Sequence, residues 1–242
     1  MRRRRPRASS IIFPVKRTRF VVLFLTLALA GFAQTAPQAA PKKTPAPAAK
    51  KASASAAPKP SLYRPSSLKD QAPATFRAKF VTTRGDFVVE VTRAQAPLGA
   101  DRFYNLVKYG FYNGDAFFRV VTGFVVQFGL SPVPAINAAW ENAKIKDDPV
   151  QSSNVRGALC FATSGANTRT TQLFINLGNN TRLDSMGFAV FGIVVEGMEV
   201  VDKIYADYGE KPDQEKITKQ GAAYIKANFP LIDSIKTATI EP

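Results

Sequence analysis

Histidine is absent from this sequence of 242 residues, and cysteine occurs once, as Cys160. One cysteine cannot form a disulfide within the chain, and one cysteine without histidine cannot supply the usual ligands of a zinc site. The lack of histidine also removes the Ser/His and Cys/His pairs of nucleophilic enzymes and the commonest general base. The sequence therefore predicts neither a metal site nor a disulfide, and any chemistry must proceed without an imidazole. Cys160 lies in an apolar run, residues 158–162, which favours a small buried side chain over a reactive thiol.

Acidic residues are missing where the basic residues gather. Residues 1–33 contain eight Lys and Arg and no Asp or Glu, residues 34–72 contain seven against one, and residues 73–242 contain eighteen against seventeen. The formal net charge of +15 therefore belongs almost entirely to the first 72 residues. A nearly neutral folded region lacks the basic stripe that binds nucleic acid, so we expect no nucleic-acid partner.

The first 33 residues have the layout of a secretory signal peptide. Residues 2–19 are strongly basic, residues 20–32 are apolar or small apart from Thr26, and small residues precede a candidate cleavage point after Ala33. The apolar run is shorter than the roughly 20 residues that span a bilayer, although an uncleaved anchor remains open. We therefore expect export to the periplasm or cell envelope, with membrane contact only through this segment if it is uncleaved.

A linker is predicted between this segment and the folded domain. Residues 34–73 consist mainly of Ala, Pro, Lys and Ser. With so few large apolar side chains, such a segment cannot bury enough surface to offset its ordering entropy, so we predict that it is disordered. One folded domain is then left, residues 74–242.

This domain is predicted to be mainly β. Short β-rich runs at residues 80–83 and 87–91 surround a turn at Gly85 and predict a hairpin. Helical spacing predicts helices over residues 97–109, 198–208 and 214–228. Further β-rich runs occupy residues 116–121, 124–128, 158–162, 172–177, 188–194 and 232–240. Many short strands with few helices favour a closed antiparallel barrel or a sandwich, and spacing alone does not choose between them.

Three of the β-rich runs carry one polar side chain among apolar ones. These side chains are Arg119, Gln127 and Gln172. Because alternate residues of a strand share a face, Gln127 shares a face with Val125, and Gln172 with Phe174. Each residue alone is compatible with a solvated face or an ordinary salt bridge. The three together favour a functional site in which polar groups lie beside an apolar wall.

Ordered sequence motifs surround these three residues. Residues 117–127 read FFRVVTGFVVQ, which resembles the cyclophilin family pattern F-H-R-[VI]-[IV]-x-G-F-x-x-Q-G. Residues 157–175 read GALCFATSGANTRTTQLFI, which resembles G-x-[LI]-x-M-A followed by G-x-N-T-x-x-S-Q-F-F-I. The short motifs LD, FAVFG and EGM follow in the family's order between residues 183 and 198. Several ordered motifs over residues 75–208 make this a specific signal.

The resemblance implies a fold, a chemistry and a set of site residues. The fold would be a closed eight-stranded antiparallel barrel capped by two helices, to which the helix predicted over residues 214–228 would be an extra C-terminal addition. The chemistry would be peptidyl-prolyl cis-trans isomerisation without cofactor or metal, performed by a monomer on proline-containing polypeptides. Arg119 would be catalytic, and Gln127 and Gln172 would hold the arginine and the substrate backbone. The implied substrate-binding residues are Phe124, Val125, Ala162, Thr163, Phe174, Leu183 and Phe188.

The physical chemistry of the peptide bond agrees with this assignment. Rotation about the bond faces a barrier of roughly 18–20 kcal/mol because resonance occupies the nitrogen lone pair. In the twisted state the nitrogen becomes a hydrogen-bond acceptor, to which Arg119 could donate. A donor that gains its partner mainly in the twisted state stabilises the transition state selectively. No proton transfer is needed, so the absence of histidine is no obstacle.

Several positions depart from the family pattern. Phe118 replaces the usual His, Phe128 the usual Gly, and Arg182 stands where an aromatic residue is common at the pocket rim. We therefore expect weak binding of cyclosporin-type ligands. Asp147 and Asp148 precede a proline and are read as a turn rather than a metal site.

Two other functions remain open from the sequence. A proline-peptide-binding chaperone module with weak catalysis would keep the pocket without fast turnover. An envelope scaffold tethered through the basic linker would rest on composition alone. The residues Arg119, Gln127, Phe124 and Phe174 favour the enzyme over both.

Overall fold

The computed structural model of the chain describes residues 59–241. The predicted signal peptide, residues 1–33, and the predicted linker up to residue 58 lie outside the described residues. None of the helices between residues 59 and 241 combines the length and apolarity that a membrane crossing requires.

The last part of the predicted linker packs against the folded domain. Leu62 and Leu68 lie against the main apolar core, and the carbonyl oxygen of Leu62 accepts a hydrogen bond of 2.8 Å from Nε1 of Trp140. Ala72 is buried, and its N–H donates to Oδ1 of Asp101 over 2.9 Å. The folded region therefore begins earlier than residue 74, where the sequence placed it. These few contacts attach the segment to the domain, although its composition is that of a linker.

One antiparallel sheet dominates the domain. Its strands are β1 Thr75–Thr82, β2 Asp86–Thr92, β3 Arg119–Val121, β4 Val125–Phe128, β5 Ala158–Phe161, β6 Leu173–Asn176, β7 Val190–Glu196 and β8 Ile235–Ile240. They pair in the order β3-β4-β6-β5-β7-β2-β1-β8. The sheet curls so that its two edges approach through an isolated bridge between Ala116 and Ser234. The predicted closed barrel is not confirmed, because β3 is short and forms no ladder with β8, which leaves an open half-barrel.

Five α-helices accompany the sheet within residues 59–241. They are α1 Pro97–Lys108, α2 Pro134–Trp140, α3 Met198–Asp202, α4 Gln214–Gln220 and α5 Ala222–Asn228. The first agrees with its prediction, whereas α3 is shorter than predicted and α2 was not predicted. The predicted helix over residues 214–228 is interrupted at Gly221, whose φ of 59° is in the left-handed region. A Cβ at this position would lie 2.1 Å from the carbonyl oxygen of Pro132, so only glycine fits the break between α4 and α5.

The two faces of the sheet bury separate apolar clusters. Val120, Val126 and Ile175 belong to the main core, whereas Val125 and Phe174 belong to a second, smaller cluster. Because alternate residues of a strand point to opposite faces, β4 and β6 contribute to both clusters. The second cluster contains most of the predicted substrate-binding residues and is described with the site below.

The two departures at phenylalanine positions have structural explanations. Phe128 lies in the main core, with its ring centroid 5.6 Å from that of Phe117 and 5.9 Å from that of Phe80. Phe118 instead joins a third apolar cluster with Ile217 and Tyr224, which lie on α4 and α5. Phe118 therefore provides the apolar surface on which the C-terminal helices pack.

Asp148 accepts hydrogen bonds at the start of α1. Its carboxylate accepts hydrogen bonds from the backbone N–H groups of Leu98 and Gly99 at the start of α1, over 3.0 and 2.8 Å. Nη2 of Arg169 donates to the same carboxylate over 3.0 Å. An acidic side chain at this position satisfies free N–H groups and complements the helix dipole. Within residues 59–241, no three Cys, His or acidic side chains come close enough to hold a metal ion.

Asp115 is a fully buried acid whose two carboxylate oxygens have no hydrogen-bond partner in the described part of the chain. Burial raises the pKa of Asp115 well above its ordinary value. The folded state therefore favours the protonated form of Asp115, whereas in the unfolded chain the same side chain has an ordinary pKa.

We expect Asp115→Asn to weaken the dependence of stability on pH. The contribution of Asp115 is fully present below the unfolded pKa of about 3.9 and is lost as pH rises through the raised folded pKa. Because Asn does not titrate, the variant should lose less stability between about pH 4 and about pH 8, by about 1.4 kcal/mol for each unit of pKa difference. Urea denaturation at both pH values measures this, with the exposed Glu141→Gln as control. Equal pH slopes in wild type and Asp115→Asn would contradict the expectation.

Candidate active site

Backbone pairing places four side chains in one row across the sheet. Arg119 on β3 pairs with Gln127 on β4, Gln127 pairs with Phe174 on β6, and Phe174 pairs with Cys160 on β5. Residues directly opposite each other in neighbouring strands present their side chains on the same face. The row thus begins with a cation and an amide and continues into apolar groups.

A chain of hydrogen bonds joins the three polar residues that the sequence singled out. Nη1 of Arg119 donates to Oε1 of Gln127 over 3.3 Å, and Nε2 of Gln127 donates to Oε1 of Gln172 over 2.8 Å. Gln127 is buried, and these two hydrogen bonds give both the oxygen and the nitrogen of its amide a partner within the protein. Gln127 therefore links the arginine of β3 to Gln172, which immediately precedes β6.

An apolar pocket wall adjoins this chain. The second apolar cluster consists of buried Val125, Ala158, Cys160, Phe174, Leu183 and Val190, with partly buried Phe124, Ala162 and Phe188 packed against it. The rings of Phe174 and Phe188 meet edge to face, with centroids 5.5 Å apart. Six of the seven predicted substrate-binding residues therefore lie together, although their roles toward a substrate stay a prediction.

Thr163 is the predicted residue that does not join this cluster. Its hydroxyl contacts the carbonyl oxygen of Gly165 and lies 2.8 Å from Oγ1 of Thr168. The side chain is thus used in the turn that follows β5. Neighbouring Ala162 donates its N–H to the carbonyl oxygen of Gln172 over 2.9 Å, which extends the pairing of β5 with β6. A place for Thr163 along a peptide groove stays a prediction.

Cys160 lies at the base of the apolar cluster and is fully buried. Its Sγ donates to Oδ1 of Asn154 over 3.1 Å. Burial raises the pKa of the Cys160 thiol, which keeps it protonated and disfavours a nucleophilic thiolate. The interpretation of Cys160 as a packing residue therefore agrees with its surroundings.

Buried asparagines hold the pocket wall from behind, and sequence reasoning missed them. Asn180 donates through Nδ2 to the carbonyl oxygen of Phe124 over 2.9 Å and to Oδ1 of Asn176 over 2.7 Å. Asn176 in turn donates to Asn154, which donates to the carbonyl oxygen of Phe188 over 2.9 Å. The network thus fixes the backbone of both partly buried phenylalanines. Asn176, a polar residue ending an apolar strand, was the available sequence signal.

The guanidinium of Arg119 has a second partner that sequence reasoning also missed. Oε1 of Glu210 accepts from Nε over 2.6 Å and lies 2.5 Å from Nη2. The side chain of Arg119 is 22% exposed, so it lies at the border between the polar chain and solvent. Its Cζ is 5.7 Å from the ring centroid of Phe124, and Cζ of exposed Arg182 is 5.0 Å from the same centroid.

This arrangement provides a permanent hydrogen-bond donor beside an apolar surface. The guanidinium of an arginine has five N–H donors and no acceptor, so Arg119 acts on a bound molecule by donating hydrogen bonds. Its N–H groups could stabilise an acceptor that appears on a bound molecule, while the apolar cluster holds a compact ring or side chain. Such a site suits a reaction that changes conformation or charge distribution without breaking a bond.

Comparison with known proteins supports this interpretation of the site. Residues 77–224 match the family described as "Cyclophilin type peptidyl-prolyl cis-trans isomerase/CLD". The chain is 34% identical over 165 residues to a peptidyl-prolyl cis-trans isomerase of Acinetobacter baylyi. The aligned residues cover 64% of this chain and 86% of that protein. It is 35% identical over 134 residues to peptidyl-prolyl cis-trans isomerase B of Escherichia coli, covering 52% and 81% respectively.

A solved structure with a similar fold is the cyclophilin type peptidyl-prolyl cis-trans isomerase of Cryptosporidium parvum. It superposes with a TM-score of 0.53 at 21% sequence identity, over 69% of this chain and 98% of that chain. At this identity the likeness concerns the fold alone. The family match covers more than half of the sequence and contains every predicted site residue. The chain therefore belongs to the cyclophilin family of peptidyl-prolyl cis-trans isomerases.

Proposed function

We propose that this protein accelerates rotation about X-Pro bonds of polypeptides, with Arg119 as the donor that stabilises the twisted amide. The observation that carries the proposal is the hydrogen bond from Arg119 to Gln127 at the edge of an apolar cluster that contains Phe124 and Phe174. The relatives named as peptidyl-prolyl cis-trans isomerases support the same activity.

The proposed mechanism is noncovalent. The proline ring would occupy the apolar cluster, and the preceding peptide bond would lie toward Arg119. As this bond twists, its nitrogen regains a lone pair, and an N–H of Arg119 donates to it. The interaction is absent in the planar amide, so it lowers the barrier instead of tightening ground-state binding. Gln127 keeps the guanidinium at the pocket edge.

The substrates would be proline-containing peptide segments. A second Cryptosporidium parvum structure with this fold, with a TM-score of 0.52 and 20% identity, was solved in the presence of the dipeptide Ala-Pro. The pocket of the present chain suits a compact ring of this kind. The rings of Phe174 and Phe188 form two of its sides and meet at an interplanar angle of 74°. Unfolded chains and exposed loops provide such segments.

Export is proposed from the sequence of residues 1–33, which lie outside the described residues. Their basic and apolar layout supports a bacterial exported member of the family that acts on proteins in the periplasm or envelope. The protein would act as a monomer. The linker of Ala, Pro and Lys would then separate the domain from any uncleaved anchor.

We expect Arg119→Ala to lower kcat/KM for a short X-Pro peptide by roughly 100-fold, the range seen when a transition-state donor is removed. Exchange NMR of cis and trans peptide signals measures the rate. Arg77→Ala is a matched control, because Arg77 is also paired with glutamates but lies on β1.

Two outcomes would contradict this mechanism. Equal rates for wild type and Arg119→Ala would exclude Arg119 as the donor. A wild type that binds the peptide without accelerating exchange would favour the proline-peptide-binding chaperone module instead. Titration of the same peptide, followed by chemical shifts, separates binding from turnover.

We expect cyclosporin-type ligands to bind wild type weakly and Arg182→Trp more tightly, by roughly tenfold. Arg182 presents a charged group over Phe124 at the rim, where an indole would offer a broad apolar face. Isothermal titration calorimetry measures both affinities, and Arg182→Ala separates loss of charge from gain of an aromatic surface. A tight complex with wild type would refute the expectation.

A further inference from the structure

Glu210 contacts the proposed catalytic arginine from outside the sequence motifs of the site. It lies in the connection between α3 and α4, 91 residues after Arg119. Its Oε1 accepts from both Nε and Nη2 of that arginine, at 2.6 and 2.5 Å. Glu210 is exposed, so the contact is not a buried structural ion pair.

The connection that carries Glu210 is anchored to β3. The backbone N–H of Val120, the residue next to Arg119, donates to the carbonyl oxygen of Gly209 over 3.2 Å. Tyr208 packs its ring against Phe229, with centroids 5.1 Å apart. The backbone on both sides of the pair is therefore fixed, so the carboxylate meets the guanidinium without ordering a long free loop.

The C-terminal helices support the same connection. Phe118 is 1% exposed and packs in one cluster with Ile217, Tyr224 and Phe229. Phe118 and Arg119 are consecutive, so the residue before β3 makes the apolar contact that docks α4 and α5, and the first residue of β3 makes the charged contact to Glu210. The substitution of Phe118 for the family's usual His and the presence of Glu210 thus belong to one local arrangement.

The contacts of Arg119 divide its donors into two sets. A guanidinium has five N–H groups. Glu210 accepts from the N–H of Nε and from one N–H of Nη2, and Gln127 accepts from one N–H of Nη1. One N–H on each of Nη1 and Nη2 is left to donate to another molecule. Two partners on different sides also limit rotation of the guanidinium about its long side chain.

We infer that Glu210 is a positioning residue that fixes the orientation of the Arg119 guanidinium for donation to the twisted X-Pro bond. The inference rests on the proposed function of Arg119. A carboxylate held at Nε orients the donor before substrate binds, so the donor does not have to be ordered during the reaction. Because exposed ion pairs contribute little to folding, a change at Glu210 should alter turnover with little effect on stability.

The test compares Glu210→Gln and Glu210→Ala with Glu215→Gln. Glu215 is a matched control because it forms an exposed ion pair with Lys219 on α4 in the same part of the fold. We expect both Glu210 variants to lower kcat for a short X-Pro peptide by roughly tenfold, with KM little changed. Glu215→Gln should behave as wild type. In an Arg119→Ala background, the Glu210 substitutions should have no further effect.

A second readout does not depend on activity. The ¹⁵N–¹H signal of Arg119 Nε should shift and exchange faster with water in Glu210→Gln, and should stay unchanged in Glu215→Gln. Wild-type kcat with an unchanged Nε signal in Glu210→Gln would overturn the inference, as would a faster kcat, which would make the contact inhibitory. An inactive wild type would overturn the proposed function instead, and the Nε signal would still decide whether Glu210 holds the guanidinium.

Discussion

The site depends on the backbone pairing of Gln127 with Arg119 on one side and Phe174 on the other. This double pairing fixes a cation, an amide and an aromatic ring in one row, at the spacing of neighbouring strands. The side-chain bonds from Arg119 to Gln127 and from Gln127 to Gln172 then follow the same direction. A shift of β4 by one residue would turn Gln127 into the main core and separate the polar groups from the apolar wall.

The same strands support the pocket from both faces. Val126 and Ile175 belong to the main core on the opposite face, so the sheet beneath the site is packed against that core. Behind the pocket wall, Asn176 and its partners satisfy the backbone carbonyls of Phe124 and Phe188 in a buried setting. Since an unpaired buried polar group is costly, this network favours one arrangement of the wall over looser alternatives.

Much of the fold could be predicted from the sequence, because most strands are contiguous runs with clear alternation. The hairpin of β1 and β2, the helix α1 and all eight strands were anticipated from local patterns. The open form of the sheet was not anticipated, because it depends on whether β3 and β8 form a ladder, and they do not. The break at Gly221 was also missed, because it arises from close approach to Pro132, a contact invisible in local spacing. Likewise, anchoring of Leu62 depends on Trp140, a distant residue.

The sequence by itself determined the chemistry available to the site. It contains no histidine, so chemistry that needs an imidazole is excluded. It also indicated that Arg119, Gln127 and Phe174 belong to one site of polar and apolar side chains, because strand periodicity and ordered motifs are local properties. Only the tertiary structure brought Glu210 to the guanidinium. The two residues are 91 positions apart, and α4 and α5, which follow Glu210 in the chain, pack on Phe118, the residue before Arg119. Contacts of this kind leave no period in the sequence, because they are set by how separate elements pack.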